Sequence, residues 1–115
     1  MVVSAETGLH YTWGAGCDGW VLAPGPELLV IEERMPAKSA EIRHVHDTAR
    51  QFFYVLAGTL TMVLGEQRHC LAAGQGIEIA PGAAHQARND GDGEARFLVV
   101  STPTTRGDRR DLGGT

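Results

Sequence analysis

Lysine is almost absent from this chain. Lys38 is the only one in 115 residues, and ten basic residues face fourteen acidic ones for a net charge of −4. No basic face able to neutralise a row of phosphates is visible, which disfavours nucleic acid as a partner. Long apolar runs are missing too. The longest, Phe52 to Ala57, is six residues, against the roughly 18 of a membrane-spanning helix, so no membrane partner is expected. Cysteine is scarce: Cys17 and Cys70 form no CxxC pair, which fits reduced thiols in a cytosolic, cytoplasmic compartment. The opening MVVSAETGLH has neither a basic n-region nor an apolar h-region, so no secretory leader is expected.

Glycine, by contrast, is abundant, at 15 residues, nearly twice the usual ~7%. Such a chain turns often, and long helices, coiled coils and solenoids are excluded on that ground. Hydrophobic residues reach 43% and charged ones 21%, which is globular rather than disordered. The strand signals are short and evenly spaced: ELLVIEERM (27–35), QFFYVLA (51–57), TLTMVL (59–64), residues 68–71, GIEIA (76–80) and EARFLVVS (94–101). Gly58, Gly65, Pro81-Gly82 and the run NDGDG (89–93) punctuate them. Strands recurring every 8 to 12 residues read as an all-β sandwich or barrel. Residues 1–20 should supply one or two edge strands, and PTTRGDRRDLGGT (103–115), without apolar periodicity, reads as a surface tail. The expectation is one domain over 1–102 followed by that tail.

Of the five histidines, His44 and His46 stand two apart in an extended segment, EIRHVHD. On a strand, positions i and i+2 share a face, so both imidazoles point the same way. Imidazole is a good ligand for zinc, iron, nickel and cobalt. Two polar residues at that spacing also occur on ordinary solvated strands, so the pair alone decides nothing. Two further elements add to it. A short turn after His46 leads into the aromatic strand that Gln51 opens, and Pro81-Gly82 delivers His85 to the start of another extended stretch.

These residues resemble the two motifs of the cupin superfamily, in its small single-domain form. The first motif is matched by His44, Val45, His46, four residues, Gln51, six residues and Gly58. The second is matched by Gly74, five residues, Ala80, Pro81, Gly82, two residues, His85, three residues and Asn89. Together they span 38–58 and 74–89. The sequence departs from the pattern at Lys38, where the first glycine is expected, at Ala80, in place of a proline, and at Gln51, where the family usually has a glutamate ligand. The resemblance implies a β-barrel or jelly roll (a double-stranded β-helix). It also implies a divalent metal, zinc, iron, nickel, manganese or cobalt, held by His44, His46 and His85 with Gln51 at the fourth position.

Neutral Gln51 would leave such an ion its full charge, which favours Lewis-acid chemistry over a proton-shuttling carboxylate. The inward parity of the ligand strand nominates Phe53 and Val55 as pocket lining, with Met62, Trp13 and Arg34 as further candidates and plain core packing as the competing role. Arg34 would anchor an anion if inward and pair with a glutamate if outward. Cys70, in a strand, is expected buried, and Asn89 is expected to serve the following turn. A small organic ligand or substrate is the expected partner, for isomerase, cyclase, lyase or dioxygenase chemistry. A non-catalytic ligand-binding or sensor barrel is the alternative, and the resemblance implies a homodimer.

Overall fold

The computed structural model describes residues 1–113. Their regular elements are strands: β1 (Leu9–Trp13), β2 (Cys17–Pro24), β3 (Leu29–Met35), β4 (Ser39–Ala40), β5 (His44–His46), β6 (Arg50–Ala57), β7 (Thr59–Leu64), β8 (Gln67–Ala72), β9 (Gly76–Ile79), β10 (His85–Asn89), β11 (Ala95–Thr102) and β12 (Arg109–Asp111). They pair antiparallel into two sheets, one in the order β1-β2-β3-β11-β6-β9, the other β12-β5-β10-β7-β8 with β4 also on β10. This is the expected all-β double-stranded β-helix, with the N-terminal segment supplying β1 and β2 as the edge of the first sheet. No helix among the described residues is long and apolar enough to cross a membrane.

Alternation sets the core. Along β6, Gln51, Phe53 and Val55 are buried while Phe52, Tyr54 and Leu56 are exposed, the period-two signature of a sheet with one face inward. Phe97 and Val99 on β11 lie opposite Val55 and Phe53, and Leu60, Met62 and Leu71 come from the facing sheet. On β8 the same parity buries Leu71 and leaves Cys70 exposed. That corrects the expectation for Cys70: occupancy of a strand does not bury a residue whose side faces out.

Two backbone positions explain motif residues. Gly58 closes the β6–β7 hairpin at φ +74°, and a Cβ there would stand 2.3 Å from the Glu94 carbonyl oxygen. Lys38, at the position of the family's first glycine, takes φ 59°, a region that disfavours side chains. Its ammonium then reaches across to the Asp90 carbonyl at 2.9 Å and to Asp92 at 3.2 Å.

Asn89 performs the expected turn role and more. Its Oδ1 accepts the Gly91 N–H at 3.1 Å, and its Nδ2 donates to the carbonyls of Met35, Pro36 and Gly93 at 3.0, 3.1 and 2.8 Å. Asn89 is 1% exposed, so water cannot replace these bonds. Asn89→Ala is expected to cost roughly 3 kcal/mol, because buried acceptors and a donor lose their partner together; urea unfolding measures it.

The C-terminal segment is more than an unstructured tail. Asp108 caps the loop after β5, accepting the N–H of Thr48 and of Ala49 at 3.2 and 2.8 Å. Residues 109–111 then pair with β5, Arg109 opposite His46 and Asp111 opposite His44. A three-residue charged strand, Arg-Arg-Asp, has no apolar periodicity to announce it.

Candidate metal centre

The three motif histidines meet because two strands and a turn require it. His44 and His46 share one face of β5, and β10 places His85 directly opposite His44. The turn before β10 is held to β5 by the Gly82 N–H, which donates to the His46 carbonyl at 2.8 Å, with Gly82 at φ +81°. Ring centroids lie 4.9 Å apart for His44–His46, 4.4 Å for His44–His85 and 5.8 Å for His46–His85. One nitrogen from each ring falls within 4.8 Å of the others.

Orientation follows from hydrogen bonds to backbone carbonyls. His44 Nδ1 lies 2.8 Å from the Ile42 carbonyl and His85 Nδ1 3.0 Å from the Ala83 carbonyl. Each carbonyl requires an N–H, so the other nitrogen of each ring keeps its lone pair, the arrangement metal-binding histidines use. His85 Nε2, His46 Nδ1 and Gln51 Oε1 are buried with no hydrogen-bond partner. An unsatisfied buried polar atom costs roughly 1–3 kcal/mol, and three of them, on residues of the two cupin-like motifs, fit a cation better than a packed core. The Gln51 Nε2 is meanwhile held by the Ser101 hydroxyl oxygen at 3.1 Å.

Burial keeps the imidazoles neutral. Desolvation, aided by their mutual repulsion, pushes His44 down to about 3 and His85 down to about 4, and burial lowers His46 as well. Neutral rings at pH 7 are ready to ligate without first losing a proton.

The rest of the site lies across a cavity of about 180 Å³ that His44, His46 and Gln51 line together with Tyr11, Ile31, Glu33, Glu41, Phe53, Val99 and Arg109. Of the proposed lining residues, only Phe53 faces this space; its ring meets His85 edge-on, with centroids 6.1 Å apart. Val55 and Met62 are fully buried in the core beneath it. Trp13 borders a separate depression beside Ile42 and donates its indole N–H to the Asp18 carbonyl at 3.3 Å. Arg34 points away from the cavity, bound to Asp18 at 2.7 Å and Glu94 at 3.2 Å. Register explains the difference. Leu29, Ile31, Glu33 and Met35 take the inward parity of β3, which turns Glu32 and Arg34 out.

Sequence reasoning missed the acids. Glu33 and Glu41 both line the cavity. Burial raises Glu33 to about 7, against the pull of the Tyr11 hydroxyl, which donates to its Oε2 at 3.2 Å. Burial and the neighbouring Glu33 charge raise Glu41 to about 8. Glu41 Oε1 accepts the Ala87 N–H at 2.8 Å and lies 3.9 Å from His44 Nδ1. Burial with Glu33 nearby likewise holds the Tyr11 phenol well above its ordinary value. The signal available in the sequence was the alternation of β3, which demanded that either Glu33 or Arg34 face inward.

These shifts predict that metal-free protein is most stable near pH 6.5. Below the ordinary histidine value of 6.5, unfolded histidines bind protons that the folded ones refuse, so stability drops as pH falls. Glu33 and Glu41 act oppositely, staying protonated in the fold above the ordinary 4.5, so stability drops as pH rises toward 7 and 8. Just below 6.5 three histidines outweigh two glutamates, and above 6.5 only the glutamates act. Each unbalanced proton is worth roughly 1.4 kcal/mol per pH unit. Urea unfolding of chelator-treated protein at about pH 5, 6.5 and 8 checks the maximum.

Comparison with known proteins agrees with this geometry. The family model described as Cupin domain matches residues 31–101. Protein SchB of Streptomyces halstedii is 39% identical over 70 residues, covering 61% of this chain and 49% of that protein; this chain thus spans about half the length of that curated relative. A sugar phosphate isomerase of the cupin superfamily from Silicibacter pomeroyi superposes with a TM-score of 0.70 at 26% identity, over 76% of this chain and 60% of that one. The polyketide cyclase RemF from Streptomyces resistomycificus superposes with a TM-score of 0.86 at 18% identity, over 100% of this chain and 87% of that one.

Proposed function

Because the chain belongs to the cupin family, we propose that it holds a divalent metal ion on His44, His46 and His85, with the Gln51 amide oxygen as fourth ligand, and promotes ring closure or isomerisation of a small carbonyl compound. The observation that carries this reading is the convergence of one nitrogen from each of His44, His46 and His85 within 4.8 Å, with Gln51 Oε1 and His85 Nε2 buried and unpartnered, beside a cavity that also holds acid–base groups. Bound there, an ion with only neutral ligands would act as a Lewis acid that polarises a carbonyl.

The chain's own residues supply the rest. Ile31, Phe53 and Val99 present an apolar wall that excludes water from the substrate. Tyr11 orients the Glu33 carboxyl through its hydroxyl. Arg109, on the C-terminal strand, is the only cation along the cavity among the described residues, and two glutamates face it there. A single arginine falls short of the clustered Lys or Arg that phosphorylated sugars require, and buried carboxyls pushed up to about 7 and 8 suit an uncharged carbonyl compound. Substrates of the sort the name of the polyketide cyclase RemF denotes are therefore favoured over the kind that the sugar phosphate isomerase handles.

Elemental analysis of protein purified without added metal tests the reading, together with turnover of compounds carrying several carbonyl groups. One metal per chain with product formation is expected. Absence of metal that addition does not restore sinks the metalloprotein reading, and a metal-bound protein that only binds these compounds is a sensor rather than an enzyme.

We propose also that two copies associate through the outer face of the first sheet, where Phe52 and Tyr54 stack with Leu56 beside them, each about 40% exposed. Phe52→Glu is expected to shift the protein to monomer in size-exclusion chromatography at two concentrations. Cys17 and Cys70 are free thiols, which suits a reducing cytoplasmic compartment.

A further inference from the structure

In this chain the motif position that usually carries a carboxylate is Gln51, yet a carboxylate faces the same cavity from elsewhere. Glu33 arrives on β3, two strands away from Gln51 through β11, and lines the space opposite the histidines, which belong to the other sheet. We propose that Glu33 is the proton-transfer residue of this site, taking a proton from the carbon between two carbonyl groups of a 1,3-dicarbonyl substrate and returning it after bond formation. This rests on the carbonyl-activating function proposed above.

Three observations single out Glu33 over the other groups. Its sole hydrogen-bond partner among the described residues is the Tyr11 hydroxyl, on Oε2, so Oε1 is left for a substrate. Glu41 is already committed, accepting the Ala87 N–H and lying against His44, which makes it a positioning residue for the ligand ring. Gln51 carries no exchangeable carboxyl proton and is tied to Ser101. Ile31, Phe53 and Val99 line the same cavity as Glu33, His44 and His46, an apolar wall on which a flat dicarbonyl would rest. The low solvation that raises Glu33 to about 7 strengthens it as a base at neutral pH.

The step balances. The Glu33 carboxylate takes the C–H proton and becomes a carboxylic acid, while the C–H electron pair forms the enolate. The enolate carbon attacks a further carbonyl carbon, outside the 1,3-dicarbonyl unit but in the same molecule, a C–C bond forms, and the π pair of that C=O moves onto its oxygen. That oxygen takes the proton from Glu33, which returns to carboxylate. No oxidant or co-reactant is needed.

The test uses 2,4-pentanedione as the probe with metal-loaded protein. Exchange of its central C–H protons for deuterium, followed by NMR, should be accelerated by the wild type. Glu33→Gln, an isosteric change, should reduce the protein-catalysed exchange by about 100-fold or more with metal content unchanged. Calorimetry in two buffers of different ionisation enthalpy gives a second readout. Wild type should bind the probe with little net proton release, because Glu33 keeps the proton, whereas Glu33→Gln should release about one proton per probe bound. Equal exchange and equal proton release in both proteins would overturn the role of Glu33 and leave the metal-site function standing. Failure of metal-loaded wild type to bind the probe or accelerate its exchange would overturn both.

Discussion

His85→Ala is expected to purify without stoichiometric metal and to bind added metal more than about 100-fold more weakly than wild type, beyond the 10–100-fold typical of losing an outer-shell partner. The reason is local. His85 brings one of three nitrogens that lie within 4.8 Å of each other, and β10 pairs it directly with His44. Ligand linkage makes the effect visible as stability. At metal a hundredfold above Kd, wild type should gain about 2.7 kcal/mol, which for a domain of this size is about 10 °C or more in Tm; the variant should gain almost none at the same concentration. Metal-free proteins should differ far less, since the substitution removes a desolvated ring and an unpartnered Nε2 next to His44, which itself lines the polar cavity. A His85→Ala protein that keeps the full metal-dependent rise in Tm would refute its assignment as a ligand.

Phe97→Ala is expected to be the most destabilising single change in the core, at roughly 3–5 kcal/mol. Phe97 is 0% exposed, lies between Glu33 on β3 and Val55 on β6, and packs its ring 6.0 Å from that of Phe53. Its neighbours are held by ladder hydrogen bonds on both sides, so the sheet cannot collapse into the space left behind. Against a total stability of about 5–15 kcal/mol, a loss of this size removes a third or more. Denaturant titration at constant pH, with unchanged m-value, measures it; a loss below about 1 kcal/mol would mean that the two sheets are not packed as described. Because Phe53 touches both Phe97 and His85, the same variant should also loosen metal binding modestly, an effect Phe52→Glu on the outer face should not share.

Much of the architecture was legible in the chain. Six of the strands coincide with short strand-like runs punctuated by glycine, proline or NDGDG, because burying one face of a sheet imposes a period of two on the side chains. The pair His44 and His46 could be assigned to one face for the same reason, and His85 by its position after Pro81-Gly82, a turn that presents the next residue to the sheet. Asn89 was readable as a turn residue because its short amide can bond its own backbone. Strands β4 and β12 were not readable, being two and three residues long and carrying no apolar pattern.

What sequence alone carried, then, is the all-β class, from evenly spaced strand signals, and, through the resemblance to the cupin motifs, the histidine set and the neutral residue at the fourth motif position. What only tertiary structure decided is the far side of the cavity. Whether Glu33 or Arg34 faces inward depends on the register of β3 against β2 and β11, and a slip of one residue exchanges them. Arg109 reaches the cavity only because β12 pairs with β5, and Tyr11 reaches Glu33 only because β1, β2 and β3 align Tyr11, Gly19 and Glu33 across one sheet, with no side chain on Gly19 to block the way. Those contacts join residues 22 to 67 positions apart, and no local periodicity encodes a partner at that distance.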